Sequence, residues 1–391
     1  MPMNDFYKRF ELNETLAETT GFNPYYMQID SGLDEKIMIS GKKVINLASN
    51  NYLGLAADYR VKDAVVDAVQ KYGVSLCGTP IATGYIDLFK RLEQRISGFL
   101  GLEDTVILPS CYQANNGLFS SIAQKDDVII VDRFAHSSLI QGIKAVGCKI
   151  RPFRHNDVAH LEDILKHSAH YDQVFVVTES VFSTDGSIAP FKEIVQLCDT
   201  YHAVPIIDDS HGIGVLGASG KGILEEQGIT AYKGIYTASL GKALANAGGI
   251  ISGEQRILKH LKYYCPHLVY STALPPAVLA GIEKVMDIIE NEFSLIKGKL
   301  DCYKQVIFDS LKYSGFEVVQ SRAPINSIIT GSKENTFFTA KKLYENGILS
   351  TPFIEPSVPI DGGRVRLIAG ANLSNNTIEE AAAIIKRIGE L

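Results

Sequence analysis

Apolar runs and helix-spaced segments take turns along this chain between about residue 60 and residue 260. Five short runs rich in Val, Ile and Phe stand out: "TVILPS" (105–110), "VIIVD" (128–132), "KIRPF" (149–153), "QVFVVTE" (173–179) and "AVPIIDD" (203–209). Stretches between them, such as "YIDLFKRLEQRISGFLG" (85–101) and "PFKEIVQLCDTYH" (190–202), carry apolar residues at helical spacing. Continuous apolar strands joined through helices predict βαβ units and an α/β fold with a mainly parallel sheet covered on both faces. Ligands of such sheets bind beyond the carboxyl ends of the strands. The polar residues that close these runs, Ser110, Asp132, Glu179 and Asp208, are therefore the first candidates for chemistry.

The pattern changes after about residue 275. A long helical segment, "PAVLAGIEKVMDIIENEF" (276–293), leads into helix–strand alternation ending in "GRVRLIAG" (363–370) and "TIEEAAAIIKRIGEL" (377–391). In the last segment Thr377 followed by Glu380 has the form of a capping box. Ile378, Ala382, Ile385 and Ile388 form its expected buried stripe. The expected organisation is an N-terminal segment (1–45), a large domain (46–280) and a smaller C-terminal α+β domain (281–391).

The 391 residues are 46% hydrophobic and 21% charged, ordinary values for a globular chain with one large core and a smaller one. A net charge of -6 without a basic stripe speaks against nucleic acid as a partner. Six cysteines, Cys77, Cys111, Cys148, Cys198, Cys265 and Cys302, are scattered without a CxxC pair. They are expected as reduced thiols in a cytoplasmic protein, with no metal site. The opening "MPMNDFYKRFELNETLAETTGF" lacks the apolar centre of a signal peptide. No apolar run reaches membrane-spanning length.

Two glycine motifs invite a nucleotide reading and fail it. "GIGVLG" (212–217) matches G-x-G-x-x-G after an expected strand but runs into the loop-like "ASGKGILEEQG" instead of a helix. "ASGKG" lacks the P-loop's first Gly, with Val215 in its place, and has Gly222 where Ser or Thr is required. The glycines are expected to allow a tight surface turn.

Lys242 is the only charge in "YTASLGKALANAGG" (236–249). A lysine among small residues is either a solvated loop lysine or an amine held for its chemistry. A Schiff-base cofactor of the pyridoxal-phosphate type needs an amine, an acid facing the pyridine nitrogen, a flat group against the ring and phosphate donors. Asp208, ending an apolar run in "IIDDSH", can supply the acid, with His211 beside it; a turn-capping Asp is the bland alternative. His136, in "VDRFAHSS", can lie against the ring or merely cap the following helix. In "LPSCYQANNG" a helix is expected to begin at Ser110, Cys111 and Tyr112, offering backbone N–H groups to phosphate. Ser239 and Thr272 can add hydroxyls.

Seven ordered motifs then resemble the α-oxoamine synthases, pyridoxal-phosphate enzymes of fold type I. They are "SNNYLGL" (49–55), "SCYQANNGL" (110–118), "DRFAHSSLIQG" (132–142), "VTESVFSTDGSIAP" (177–190), "DDSHGIGVLG" (208–217), "SLGKALANAGG" (239–249) and "YSTALPP" (270–276). The resemblance implies a seven-stranded-type sheet in the large domain and pyridoxal 5'-phosphate bound to Lys242. It implies Asp208 at the pyridine nitrogen, His211 and Ser183 at the phenolic oxygen, and His136 stacked on the ring and helping to polarise the thioester. Cys111, Tyr112 and Ser239 would hold the phosphate, together with Thr272 of a second subunit, so a homodimer with shared sites is implied. Asn50 and Arg366 would clamp the substrate carboxylate. The implied reaction joins an amino acid to an acyl-CoA, releasing CoA and usually carbon dioxide to give an aminoketone.

The substrate side departs from the family pattern. In "CGTPIATGYIDLF" (77–89), where Thr79 is a substrate-binding candidate, Pro80 stands in place of the usual Arg and Phe89 in place of the usual His. "AGANLS" (369–374) lacks the usual His. Similar departures occur in aminoketone autoinducer synthases, so a synthase of that branch or a serine palmitoyltransferase-like enzyme stays open. Readings of other kinds are a pyridoxal-phosphate aminotransferase and a non-catalytic subunit.

Overall fold

The computed structural model describes residue 9 and residues 15–389. In chain order its strands are β1 (Lys36–Ile39), β2 (Lys42–Asn46), β3 (Asp104–Leu108), β4 (Val128–Asp132), β5 (Lys149–Phe153), β6 (Val174–Glu179), β7 (Val204–Asp208), β8 (Ile235–Ser239), β9 (Gly249–Gly253), β10 (Asn326–Gly331), β11 (Ile348–Leu349), β12 (Thr351–Phe353) and β13 (Gly363–Leu367). Seven of them form the central sheet in the order β3-β9-β8-β7-β6-β4-β5. Strand β9 is antiparallel to both neighbours, and the pairs among β4 to β8 are parallel.

The five expected strands are β3 to β7. Both faces of this sheet are covered, which is why its inner strands read as unbroken apolar runs. Successive residues feed opposite cores: Val128 and Ile130 of β4 point to one, Ile129 and Val131 to the other. Strands β8 and β9 are additional to those expected. They are short and contain Gly, Ala, Ser and Thr, so neither stands out as an apolar run. They bracket Lys242, placing it in the connection between an antiparallel pair.

The helix Pro276–Tyr313 is 38 residues long, more than twice the expected segment. Its first part, through Leu300, packs into the central core. Its last turns, with Tyr303, Ile307 and Leu311, pack into a second core. The division expected at 280 thus falls inside the part serving the first core. Ile45 and Leu47 join the second core, and β2 pairs with β11, so the chain around residues 36–47 packs with the C-terminal elements. Those elements include the antiparallel sheet β10-β13-β12.

Two local expectations are corrected. Ser374, not Thr377, caps the last helix, accepting the Thr377 N–H at 3.3 Å. Glu380 pairs with Lys36 instead of closing a capping box. The stripe of Ile378, Ala382, Ile385 and Ile388 is buried as expected. The glycine turn over 212–217 is buried, not on the surface, because it packs against Asp209, where a side chain on Gly212 would collide.

Candidate active site

The connections that follow β3, β4, β7 and β8 converge with the ends of β6 and β7 on a cavity of about 380 Å³. Its wall carries Ser110, Cys111, Tyr112, His136, Glu179, Asp208, His211, Ser239 and Lys242. This is the carboxyl edge of the parallel strands, where ligands of such sheets bind.

Each of these side chains has a local reason for its place. Ser110 caps the helix Cys111–Ile122, its hydroxyl accepting the Gln113 N–H at 3.1 Å. First-turn amides of a helix lack intrahelical acceptors, and Cys111 and Tyr112, the first two residues of this helix, line the cavity. Gly249 lets β9 start directly against this terminus, since a side chain there would run into the backbone of Cys111. The Lys242 connection is closed by Leu240 N–H to Gly248 O at 3.0 Å and Ala245 N–H to Lys242 O at 2.9 Å. Within it the Ser239 hydroxyl accepts the Gly241 N–H at 3.2 Å.

Asp208 is buried at the end of β7. Its carboxylate accepts the side-chain N–H of Asn115 at 2.7 Å and the backbone N–H of Ser210 at 3.0 Å. Asn115 is held in turn by the Thr237 hydroxyl at 2.8 Å, and it donates to the Ser138 hydroxyl at 2.9 Å. Ser138 lies 2.8 Å from Nδ1 of His136. One buried amide thus ties the acid and the imidazole together. His136 caps the helix Ser137–Val146, as the bland reading expected, and its ring also lines the cavity wall.

The electrostatics follow from burial. Burial lowers the pKa of the Lys242 amine, with Asp208 opposing the shift. It also lowers His136, and it drives His211 well below the usual imidazole range, helped by the Lys242 and Arg366 charges. Glu179 accepts the His136 backbone N–H at 2.6 Å and is pushed well above the carboxylate range by burial and then by Asp208.

The remaining candidates are placed differently. Asn50 lines a second cavity of about 410 Å³, which shares Lys242 and Asn246 with the first. Arg366 is buried, donates to the Ser183 carbonyl at 2.8 Å, stacks over Phe353 at 5.0 Å, and keeps an unpartnered Nε. Arg366, Ser183, Thr79 and Thr272 line neither cavity, and Thr272 is exposed. Phe89 is buried and stacks on Tyr85, while Pro80 opens a short turn. Asp132 serves a turn, its carboxylate accepting the Phe134 and Asn156 N–H groups. Tyr52, Asn115, Ser138 and Asn246 were not site candidates from sequence. Tyr52 lies inside "SNNYLGL" and Asn115 inside "SCYQANNGL", the only sequence signals for them.

The donor set fits pyridoxal phosphate. A helix terminus faces one end of the cavity, a buried carboxylate held by two donors another, and an amine of lowered pKa stands on the wall. Buried Arg366 has a donor to spare for a carboxylate. Among the described residues no group of His, Cys, Asp and Glu is arranged to hold a metal ion.

A family model described as aminotransferase class I and II matches residues 42–385. The fold is that of pyridoxal-phosphate-dependent transferases of fold type I. A protein named 8-amino-7-oxononanoate synthase in Alkaliphilus metalliredigens is 32% identical, covering 99% of both chains. One of the same name in Treponema denticola is 34% identical, covering 91% of this chain and 90% of the relative. Among solved structures, serine palmitoyltransferase of Sphingomonas wittichii superposes with a TM-score of 0.94 at 26% identity, covering 100% of this chain and 98% of the other. The 8-amino-7-oxononanoate synthase of Francisella tularensis gives 0.75 at 27% identity, covering 88% and 97%. The chain belongs to the α-oxoamine synthases, pyridoxal-phosphate-dependent C-acyltransferases within the class I and II aminotransferase family.

Proposed function

We propose that this chain condenses an amino acid with an acyl-CoA thioester, releasing CoA and carbon dioxide and leaving an α-aminoketone. The observation that carries the reading is the meeting of Lys242, Asp208 and a helix N-terminus on one cavity. Cys111, Tyr112 and Ser239 would hold the phosphate of pyridoxal phosphate, Asp208 would keep the pyridine nitrogen protonated, His211 would donate to the phenolic oxygen, and His136 would lie against the ring. When bound, the cofactor supplies an electron sink for the pair left on the amino acid's Cα.

The chain's own residues do the rest. Arg366 and Asn50 hold the substrate carboxylate, with the Ser183 carbonyl orienting the guanidinium. That clamp fixes which Cα bond faces the Lys242 amine. The lowered pKa of Lys242 leaves more of it neutral near pH 7, so it can take the Cα proton. The Cα carbon then bonds to the thioester carbonyl as its C–S bond breaks, CoA leaving as a thiolate that takes a proton from water. The carboxylate is lost as carbon dioxide, and the pair left on Cα takes back the proton held by Lys242. His136 stands on the same wall, where it can polarise that carbonyl.

A homodimer with shared sites is part of the reading. Thr272 is exposed and lies outside its own cavity, so it is free to reach the phosphate of a second copy. The residues before it present Tyr263, Tyr264 and Tyr270 to the surface, a concentration of aromatic area suited to burial against another subunit. A cytoplasmic location is supported by six free cysteines. No helix among the described residues is long and apolar enough to cross a membrane.

The test loads the protein with pyridoxal phosphate and incubates it with amino acids and acyl-CoAs of graded chain length. CoA release with at least one pair is expected, and its absence with all pairs would sink the reading. An aminotransferase would instead convert cofactor to its amine form with amino acid alone. Mixing inactive Lys242→Ala and Thr272→Ala subunits tests the shared site: mixed dimers recover activity only if each site draws on both chains.

A further inference from the structure

A third cavity, of about 540 Å³, is lined by residues that flank those of the proposed active site in sequence. Its wall is built from the flanks of site residues. Arg133, Phe134 and Ala135 lead directly into His136. Thr184 and Asp185 follow Ser183, whose carbonyl holds Arg366. Arg364 lies two residues before Arg366 on β13, hence on the same face of that strand.

Two guanidinium groups therefore face one cavity. Among the described residues neither has an acidic partner within ion-pairing distance, whereas Arg60, Arg91, Arg95 and Arg154 all do. Arg133 instead lies over the Phe134 ring at 4.8 Å, which fixes its plane while leaving its N–H fork free. The one carboxylate on the wall, Asp185, accepts the Ser187 N–H at 2.9 Å within its own turn. A pair of forked donors converging on a concave surface matches phosphate or carboxylate geometry.

We propose that the cavity between Arg133 and Arg364 receives an anionic group of the acyl donor. The proposal rests on the acyltransferase reading. Two parts of an acyl-CoA can supply the anion: the phosphates of CoA, or a carboxylate at the far end of the acyl chain. The cavity is a specificity subsite in either case, because its lining includes Ala135, next to His136, and Arg364, two residues from Arg366 on β13.

The experiment uses the holoenzyme and four donors. Acyl groups with and without a terminal carboxylate are each carried on CoA and on N-acetylcysteamine, which has no phosphate. The variants are Arg133→Gln, Arg364→Gln and both together, with Arg133→Lys as the charge-keeping control. The expected result is a rise of about tenfold or more in donor KM for the double variant, with kcat within about threefold. Arg133 is exposed, so its single variant carries the test even if Arg364→Gln misfolds. If the phosphates are bound, the variants lose only with CoA donors. If the chain-end carboxylate is bound, they lose with ω-carboxyl donors on either carrier. A wild-type enzyme that turns over while the variants keep every KM within about twofold overturns the proposal. Absence of CoA release by the wild type sinks the acyltransferase reading, and this inference with it.

Discussion

Tyr52 donates its hydroxyl proton to Nδ1 of His211 across 2.7 Å, with both side chains buried. The direction of the bond follows from chemistry. Burial raises the pKa of Tyr52 and lowers that of His211, so the phenol keeps its proton and the imidazole is neutral. Among the described residues the Tyr52 hydroxyl has no other hydrogen-bond partner, so its proton is satisfied only by donating to Nδ1. A neutral imidazole that accepts at Nδ1 carries its proton at Nε2. His211 lines the cavity, so its remaining donor is fixed in number and kind by a residue outside that wall. Tyr52→Phe removes the lock. We expect kcat to fall about tenfold and stability by roughly 1–3 kcal/mol, from an imidazole nitrogen left unpaired. Nitrogen NMR of the imidazoles should show His211 as the Nε2–H tautomer in the wild type and a mixture in the variant. An unchanged tautomer in Tyr52→Phe would refute the positioning role.

Asn115 joins Asp208, Ser138 and Thr237 at one buried amide. Asn115→Ala should cost roughly 1–3 kcal/mol in thermal or denaturant unfolding, since Asp208 loses a 2.7 Å donor. Asn115→Asp should be worse than alanine above about pH 5, because two carboxylates then meet where an N–H met one, and should recover as pH falls. Cofactor affinity should follow the same order. Equal behaviour of the two variants across pH would show that the amide does not serve the Asp208 charge.

Much of this was legible in the sequence, for physical reasons. Strands β4, β6 and β7 are buried on both faces, so they read as nearly unbroken apolar runs, and Glu179 and Asp208 mark the cavity ends of β6 and β7. Lys242 showed itself as one charge among small residues. Other parts left little trace. Strands β8 and β9 are five residues each, and Gly249 and Gly253 stand at the ends of β9, so periodicity has little to work on. The Tyr52–His211 and Asn115–Asp208 bonds join residues 159 and 93 positions apart, and a polar residue in sequence carries no sign of its distant partner. The 38-residue helix hides the division between cores because one apolar stripe serves both.

Glu179 is a buried carboxyl on the cavity wall that the proposed chemistry does not use. Its folded pKa is raised, so the folded state holds a proton that the unfolded state has lost above about pH 4.3. Stability from this group therefore falls as pH rises from that value towards the folded pKa, by up to about 1.4 kcal/mol per pH unit. Glutamine keeps the oxygen that accepts the His136 N–H and has nothing to ionise. Glu179→Gln should be at least as stable as wild type at pH 8, with the gap narrowing towards pH 5. Melting temperatures across that range check it, and a variant less stable at pH 8 by more than about 1 kcal/mol would contradict the neutral carboxyl.

His211 works in the opposite sense. Its folded pKa lies well below the usual imidazole value, so the unfolded chain takes up a proton below about pH 6.5 while the folded chain does not. The unfolded state then binds more protons, and stability drops as pH falls through that region, by up to about 1.4 kcal/mol per pH unit for each such group. His136, whose pKa is lowered by partial desolvation of its ring against the cavity wall with Asp208 opposing the shift, adds to the same slope. His211→Gln should lower stability at pH 8, where Tyr52 loses its acceptor, yet flatten the decline between pH 6.5 and pH 5. The measurement is denaturant unfolding of wild type and variant at matched pH values, read as the difference between the two curves. A difference that stays constant with pH would mean that His211 titrates normally in the folded protein, and would remove the basis for assigning its Nε2–H donor to the cavity.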